Sequence, residues 1–175
     1  YGFTMGFSLV TVVVVNVLAL LLAVGLTSRI RFRTALRTIF VVPMVVSGII
    51  IAYVFQYLFN GPTPIVGQAL GIDWLSESLL ANPQLAWVGI VIVTAWQSIP
   101  GALLIYTAGL MSVPRDIYEA AEIDGASAPQ RFSRITLPLI SGYVLINVIL
   151  GFKGYMNAYD VIKGLTEGVQ LVDLD

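Results

Sequence analysis

Long apolar stretches, three of them free of any charged residue, limit what this chain can fold into more than any other feature. Phe3–Leu26 runs for 24 residues, Thr38–Phe59 for 22 and Leu85–Leu110 for 26 without Asp, Glu, Lys or Arg. A fourth begins at Ile135, passes through Asn147 and ends near Met156, carrying only Lys153 at its far end. A helix needs about 20 apolar residues to cross a hydrocarbon core. Inside lipid, the backbone must satisfy its own polar groups, which a helix does within one segment. The expected fold is therefore all-α, a polytopic transmembrane helical bundle of four spans.

Composition agrees. The chain is 58% hydrophobic and 11% charged with mean hydropathy +0.90, against about 45–50% and about 25% in soluble domains. Phe3–Leu26 is too long for the apolar core of a signal peptide and is followed by arginines rather than a small-residue cleavage site. With no Cys and no His, disulfides, thiolate and imidazole metal ligands and the commonest general base are missing. An intramembrane enzyme would need His, Cys or paired acids within its spans, and these spans carry none. A net charge of −1 gives no footprint for a nucleic-acid partner.

The basic residues are clustered. Arg29, Arg31, Arg33 and Arg37 follow the first span, and Arg115, Arg131 and Arg134 lie between the third and fourth. The positive-inside rule places both loops in the cytoplasm. A lipid-binding patch is the sharper reading of the first cluster, and topology alone accounts for it. Asn60–Gln84 then lies outside, with Pro62, Pro64 and Pro83 as turn signals and Asp73 and Glu77 as its only charges. Trp74 and Trp87 suit the headgroup level, and Ile65–Leu70 is expected as a short surface helix.

One polar group or pair falls near the middle of each span: Asn16, Ser47, Gln97 with Ser98, and Asn147. Uncharged amides and hydroxyls at that depth suit a polyhydroxylated neutral solute, which needs donors and acceptors and no counter-ion. Hydrogen bonding between helices is the plainer role, favoured for Asn16 and Ser47. Pro100-Gly101 is expected to break the third span next to Gln97, and broken helices at membrane depth line cavities or are buried in protein. That break singles out Gln97, Ser98 and Asn147 as a substrate path.

A second long polar interruption is Glu119–Pro138. Pro114 suits a first helical turn, Asp116 and Glu119 complement its dipole, and a short helix is expected from Pro114 to Asp124. Ile117, Ala120, Ala121 and Asp124 share one face of it. Gly125 ends the helix, and Ser127 with Gln130 has the spacing of a capping box for a second.

This stretch resembles the cytoplasmic signature of bacterial ABC-importer permeases. Glu119, Ala120, Ala121, Gly125, Ile135, Leu137 and Pro138 match its Glu-Ala-Ala, Gly and Ile-x-Leu-Pro positions without a departure. The resemblance implies that the first short helix is a coupling helix seated in a groove of an ATPase subunit, through Glu119, Ala120, Ala121, Asp124 and Gly125. It implies further partners: a second permease subunit, an extracytoplasmic solute-binding protein and the lipid of a bacterial inner membrane. No cofactor is expected on this chain, since it has no Gly-Lys pair and hence no phosphate-binding loop; ATP and Mg belong to the ATPase. Residues 122–127 and Tyr159–Thr166 are similar to the carbohydrate subgroup, although Glu167-Gly168-Val169 departs from its usual Gly-Gly-Pro. Residues 1–175 read as one permease domain, a core fragment lacking one helix at each end. The expected function is import of a sugar; another small solute (an oxyanion, polyamine or amino acid) or a passive channel or scaffold is the alternative.

Overall fold

The computed structural model describes residues 2–27, 43–44, 46–72, 75–76, 78, 80 and 83–157. The Arg29–Arg37 cluster, Asp73, Trp74, Glu77 and the segment from Tyr159 to the end lie outside the described residues. Every described element is a helix or a turn. Helix α1 is Gly2–Thr27, α2 Gly48–Asn60, α3 Pro62–Leu70 and α4 Pro83–Ser112. Four short pieces come next: α5 (Arg115–Ile123), α6 (Ala128–Arg131), a π-helical turn over Phe132–Thr136 and α7 (Leu137–Leu139). The last described helix is α8 (Ser141–Met156).

Three helices among the described residues are long and apolar enough to cross a membrane, or four if the bent segment ending in α8 counts as one span. The expected all-α polytopic bundle is what forms. Its centre is the pair α1 and α4, with α8 packed on both and α2 against α4. Phe7, Thr11, Val15, Ala19 and Ala23 form a fully buried or nearly buried stripe on α1. Val93, Leu103 and Tyr106 answer it on α4. Small residues dominate the stripe because association in lipid depends on close backbone approach rather than on exclusion of water. Leu9, Val13, Val17 and Leu21 cover the opposite face of α1 and are exposed. An apolar exterior of this kind belongs in lipid. Between α4 and α8 the approach is close at Gly109, where an added Cβ would lie 2.8 Å from Cγ of Tyr143.

Several expectations about the helices are corrected. Pro100 does not break the third span: α4 is continuous from Pro83 to Ser112. Proline removes a single hydrogen bond there, and the fully buried Pro100 ring is held by packing on every side. The second expected span, Thr38–Phe59, is described only in part, since residues 38–42 and 45 lie outside the described residues. Ser47 is extended (φ −58°, ψ 138°) and α2 starts after it; among the described residues the stretch long and apolar enough to cross here is Gly48–Leu70. Pro62 and Pro64 are therefore helical, not loop punctuation. Pro62 opens α3, where its missing N–H has no partner to lose.

The fourth span is not one straight rod. The run Ala128–Leu139 meets α8 at an angle of 66°. Pro138 accounts for the irregularity, since it offers no N–H and its ring crowds the preceding turn. The backbone widens before it, with the Leu137 N–H bonded to the Phe132 carbonyl five residues back. It then leaves helical geometry at Ile140 (φ −93°, ψ 8°). Finally, α5 begins at Arg115, with Pro114 as its extended N-cap (φ −60°, ψ 139°) instead of its first residue.

Candidate functional site

Two regions gather the residues singled out by their sequence pattern. The first is the turn between α5 and α6. Gly125 takes φ +76°, the left-handed conformation that glycine adopts without strain. Its N–H bonds to the Glu122 carbonyl at 3.1 Å and that of Ala126 to the Ala121 carbonyl at 2.9 Å. That pair of bonds is a Schellman motif, and it satisfies the last carbonyls of α5. The next helix is opened by Ser127, whose N–H donates to Oε1 of Gln130 at 2.8 Å. Arg131 reaches back to Glu122 at 3.3 Å across the turn.

The predicted face of α5 divides. Ile117, Ala120 and Asp124 are exposed, as are Glu119 and Gly125, while Ala121 is buried against its own chain. Ala121 therefore supports the helix from inside, and the outward surface is made by the others. Ile123, which the sequence pattern does not single out, is the most exposed large apolar side chain among the described residues, at 87%. Ile123 and the exposed Ala120 stand three residues apart on the outward side of α5. A groove of about 500 Å³ runs beneath the turn between Ala121, Asp124, Gly125, Gln130, Arg134 and Ile135.

The second region is a half-open pocket of about 470 Å³ between α1, α4 and α8. Its polar lining is Asn16, Ser98, Asn147 and Tyr155, and its apolar wall includes Val15, Met44, Leu104 and Leu150. No charged side chain among the described residues lines it. Asn147 is 5% exposed, and its Nδ2 donates to the Ala102 carbonyl at 3.2 Å. Asn16 donates to the Val12 carbonyl at 2.8 Å and accepts from the Tyr106 hydroxyl. Ser98 and Tyr155 both line the pocket from α4 and α8. The Asn16 amide and the Tyr106 hydroxyl orient each other without any counter-ion.

Of the expected path residues, Ser98 and Asn147 come together, and Asn16 joins them. Gln97 and Ser47 do not line the cavity; Ser47 is exposed at the start of α2. The helical period explains the difference. Ser98, Ala102 and Tyr106 stand at i, i+4 and i+8 on one face, as do Asn147, Gly151 and Tyr155. Gln97 is one position, about 100°, off that stripe. Tyr106 and Tyr155 were missed, and that same spacing from Ser98 and Asn147 is the signal that finds them.

The described structure thus combines apolar helices long enough to cross a membrane, a half-open pocket with a few uncharged polar groups and a capped helix–turn–helix at one end. The family described as the binding-protein-dependent transport system inner membrane component matches residues 15–174, and the chain belongs to it. Among relatives, 36% identity over 111 residues links it to the multiple sugar-binding transport system permease protein MsmF of Streptococcus mutans, covering 63% of this chain and 38% of that protein. The trehalose/maltose transport system permease protein MalF of Thermococcus litoralis is 39% identical over 111 residues, 63% of this chain and 36% of that one. The probable starch degradation products transport system permease protein AmyD of Thermoanaerobacterium thermosulfurigenes is 32% identical over 166 residues, 95% and 56%. The chain thus spans between about a third and rather more than half of these relatives.

Proposed function

We propose that the protein is the transmembrane permease subunit of an ATP-driven importer that moves a sugar across a bacterial cytoplasmic membrane. The observation that carries this reading is the cavity lined by Asn16, Ser98, Asn147 and Tyr155, with no charged group among its described lining residues. A sugar is bound by paired donors and acceptors, whereas an anion would call for a buried cation and a polyamine for carboxylates. The names of the related permeases, concerned with multiple sugars, trehalose/maltose and starch products, support the same substrate class.

In this reading the solute arrives from an extracytoplasmic binding protein, and a second permease subunit completes the path. Hydrolysis takes place on separate ATPase subunits that hold ATP and Mg. Glu119, Ala120, Asp124, Gly125 and Ile123 form the surface that meets the ATPase, with Ala121 supporting it from behind. A thermal-shift screen of the cognate binding protein tests the substrate class. Stabilisation by one or more sugars is expected. Stabilisation by sulfate, spermidine or glutamine with no response to sugars would overturn it.

A further inference from the structure

Two contacts tie α5 to the segment that leads into α8. The Tyr118 and Thr136 hydroxyls are 2.8 Å apart, and Arg131 sits 3.3 Å from Glu122. Their settings differ. Thr136 is 5% exposed and Tyr118 half-buried, whereas the Glu122 side chain is 72% exposed. A hydrogen bond shielded from water keeps more of its strength, and an exposed ion pair contributes little. The hydroxyl pair is the firmer connection.

Thr136 closes the π-helical turn, and just beyond α7 the helical geometry is interrupted at Ile140. Pro138 has no N–H to give, Ile140 leaves helical geometry, and the axis turns by 66° before α8. Past the joint, α8 carries Asn147 to the Ala102 carbonyl of α4 and Tyr155 to the cavity wall. A short π-helical insertion beside a proline is a common place for a helix to bend. Displacement of α5 that reaches Thr136 therefore moves the π turn and α7 with it, and the joint at Ile140 turns that movement into a change in the angle of α8.

We propose that the Tyr118–Thr136 hydroxyl pair is the positioning contact, a strut that passes displacement of α5 across the Ile140 joint to α8 and the cavity. This rests on the reading of α5 as the element that meets the ATPase. Tyr118 and Thr136 touch neither solute nor nucleotide; they act through α8.

The test uses the full-length permease with its partner subunit and ATPase in nanodiscs. Nitroxides are placed at S133C, exposed on the π turn, and at M156C, exposed at the end of α8. This chain has no native cysteine to interfere. Electron–electron distance distributions are recorded without nucleotide and after trapping with ATP and vanadate. Trapping is expected to shift the distance in the parent protein. Y118F and T136V should each lose most of that shift while still co-purifying with the ATPase, since removing one such bond moves a two-state population by about three- to tenfold. T136S, which keeps the hydroxyl, should retain the shift, and the Y118F/T136V pair should be no worse than either single variant.

A120W separates this proposal from the reading beneath it. Loss of ATPase co-purification in A120W, with a full distance shift in Y118F and T136V, overturns the strut and leaves the docking role of α5 standing. Normal co-purification of A120W overturns the docking role and the strut together. An unchanged distance in the parent protein on trapping also overturns the strut.

Discussion

Replacing Gly125 isolates the contribution of one backbone conformation to coupling. The residue sits at φ +76°, and no atom lies within 4 Å of where a Cβ would be added. A substitution there therefore strains the backbone without creating a clash. Holding an ordinary residue in the left-handed region costs about 1–2 kcal/mol, a factor of about 5–30 in the population of the closed turn. Asn tolerates this region, and a β-branched residue is an outlier in it. The expected order of damage is Gly125→Asn, then Gly125→Ala, then Gly125→Val. Opening the turn breaks the bonds from Gly125 to Glu122 and from Ala126 to Ala121, so the exposed face of α5 is no longer held at a fixed angle to α6. If the ATPase recognises the closed turn, its apparent Kd rises in that same order, by up to about tenfold for Ala. Titration calorimetry of full-length permease variants with the ATPase subunit measures this, and melting in detergent shows whether the spans are unaffected. Equal affinities for all three variants would refute a role for the left-handed turn in recognition.

Three other outcomes are expected from the same geometry. Gly109→Ala should lower the melting temperature in detergent, because its Cβ would lie 2.8 Å from the Tyr143 ring and overpacking costs about 1–3 kcal/mol; an unchanged melting curve would show that α4 and α8 separate freely there. Asn147→Leu should reduce uptake by about tenfold or more, as expected for loss of a polar contact to a hydroxylated solute, while Gln97→Leu, outside the pocket lining, should leave uptake near the parent level; equal effects would remove the pocket from the path. A cysteine at Ser76 should react with an impermeant thiol reagent from the extracytoplasmic side alone, and labelling from the cytoplasmic side alone would invert the topology.

What could be read from the sequence was governed by range. The spans are visible because length without charge is a property of a single segment, and Gly125 with Ser127 and Gln130 is visible because caps are written within a few residues. Helix ends were read less well where proline has two meanings. Pro62 and Pro83 signal turns in isolation, yet both lie at the first turn of a helix. Pro100 is a breaker by propensity and is overruled by burial, which only the packed bundle supplies. The polar cavity was half legible: Ser98 and Asn147 stand out as polar residues in apolar runs, but which side of each helix faces inward depends on the neighbouring helix. That dependence excluded Gln97 and brought in Tyr106 and Tyr155. The burial of Ala121 beneath α5 was hidden for the same reason.

A permease of this kind should carry a neutral, hydroxylated solute only when an ATPase drives it. Uptake into proteoliposomes containing the complete complex is the direct test, using the labelled solute that stabilises the binding protein. Accumulation is expected with ATP supplied on the side of the ATPase subunits, none without it, and strong loss in Asn147→Leu. Equal flux with and without ATP would contradict this and mark the protein as a passive channel.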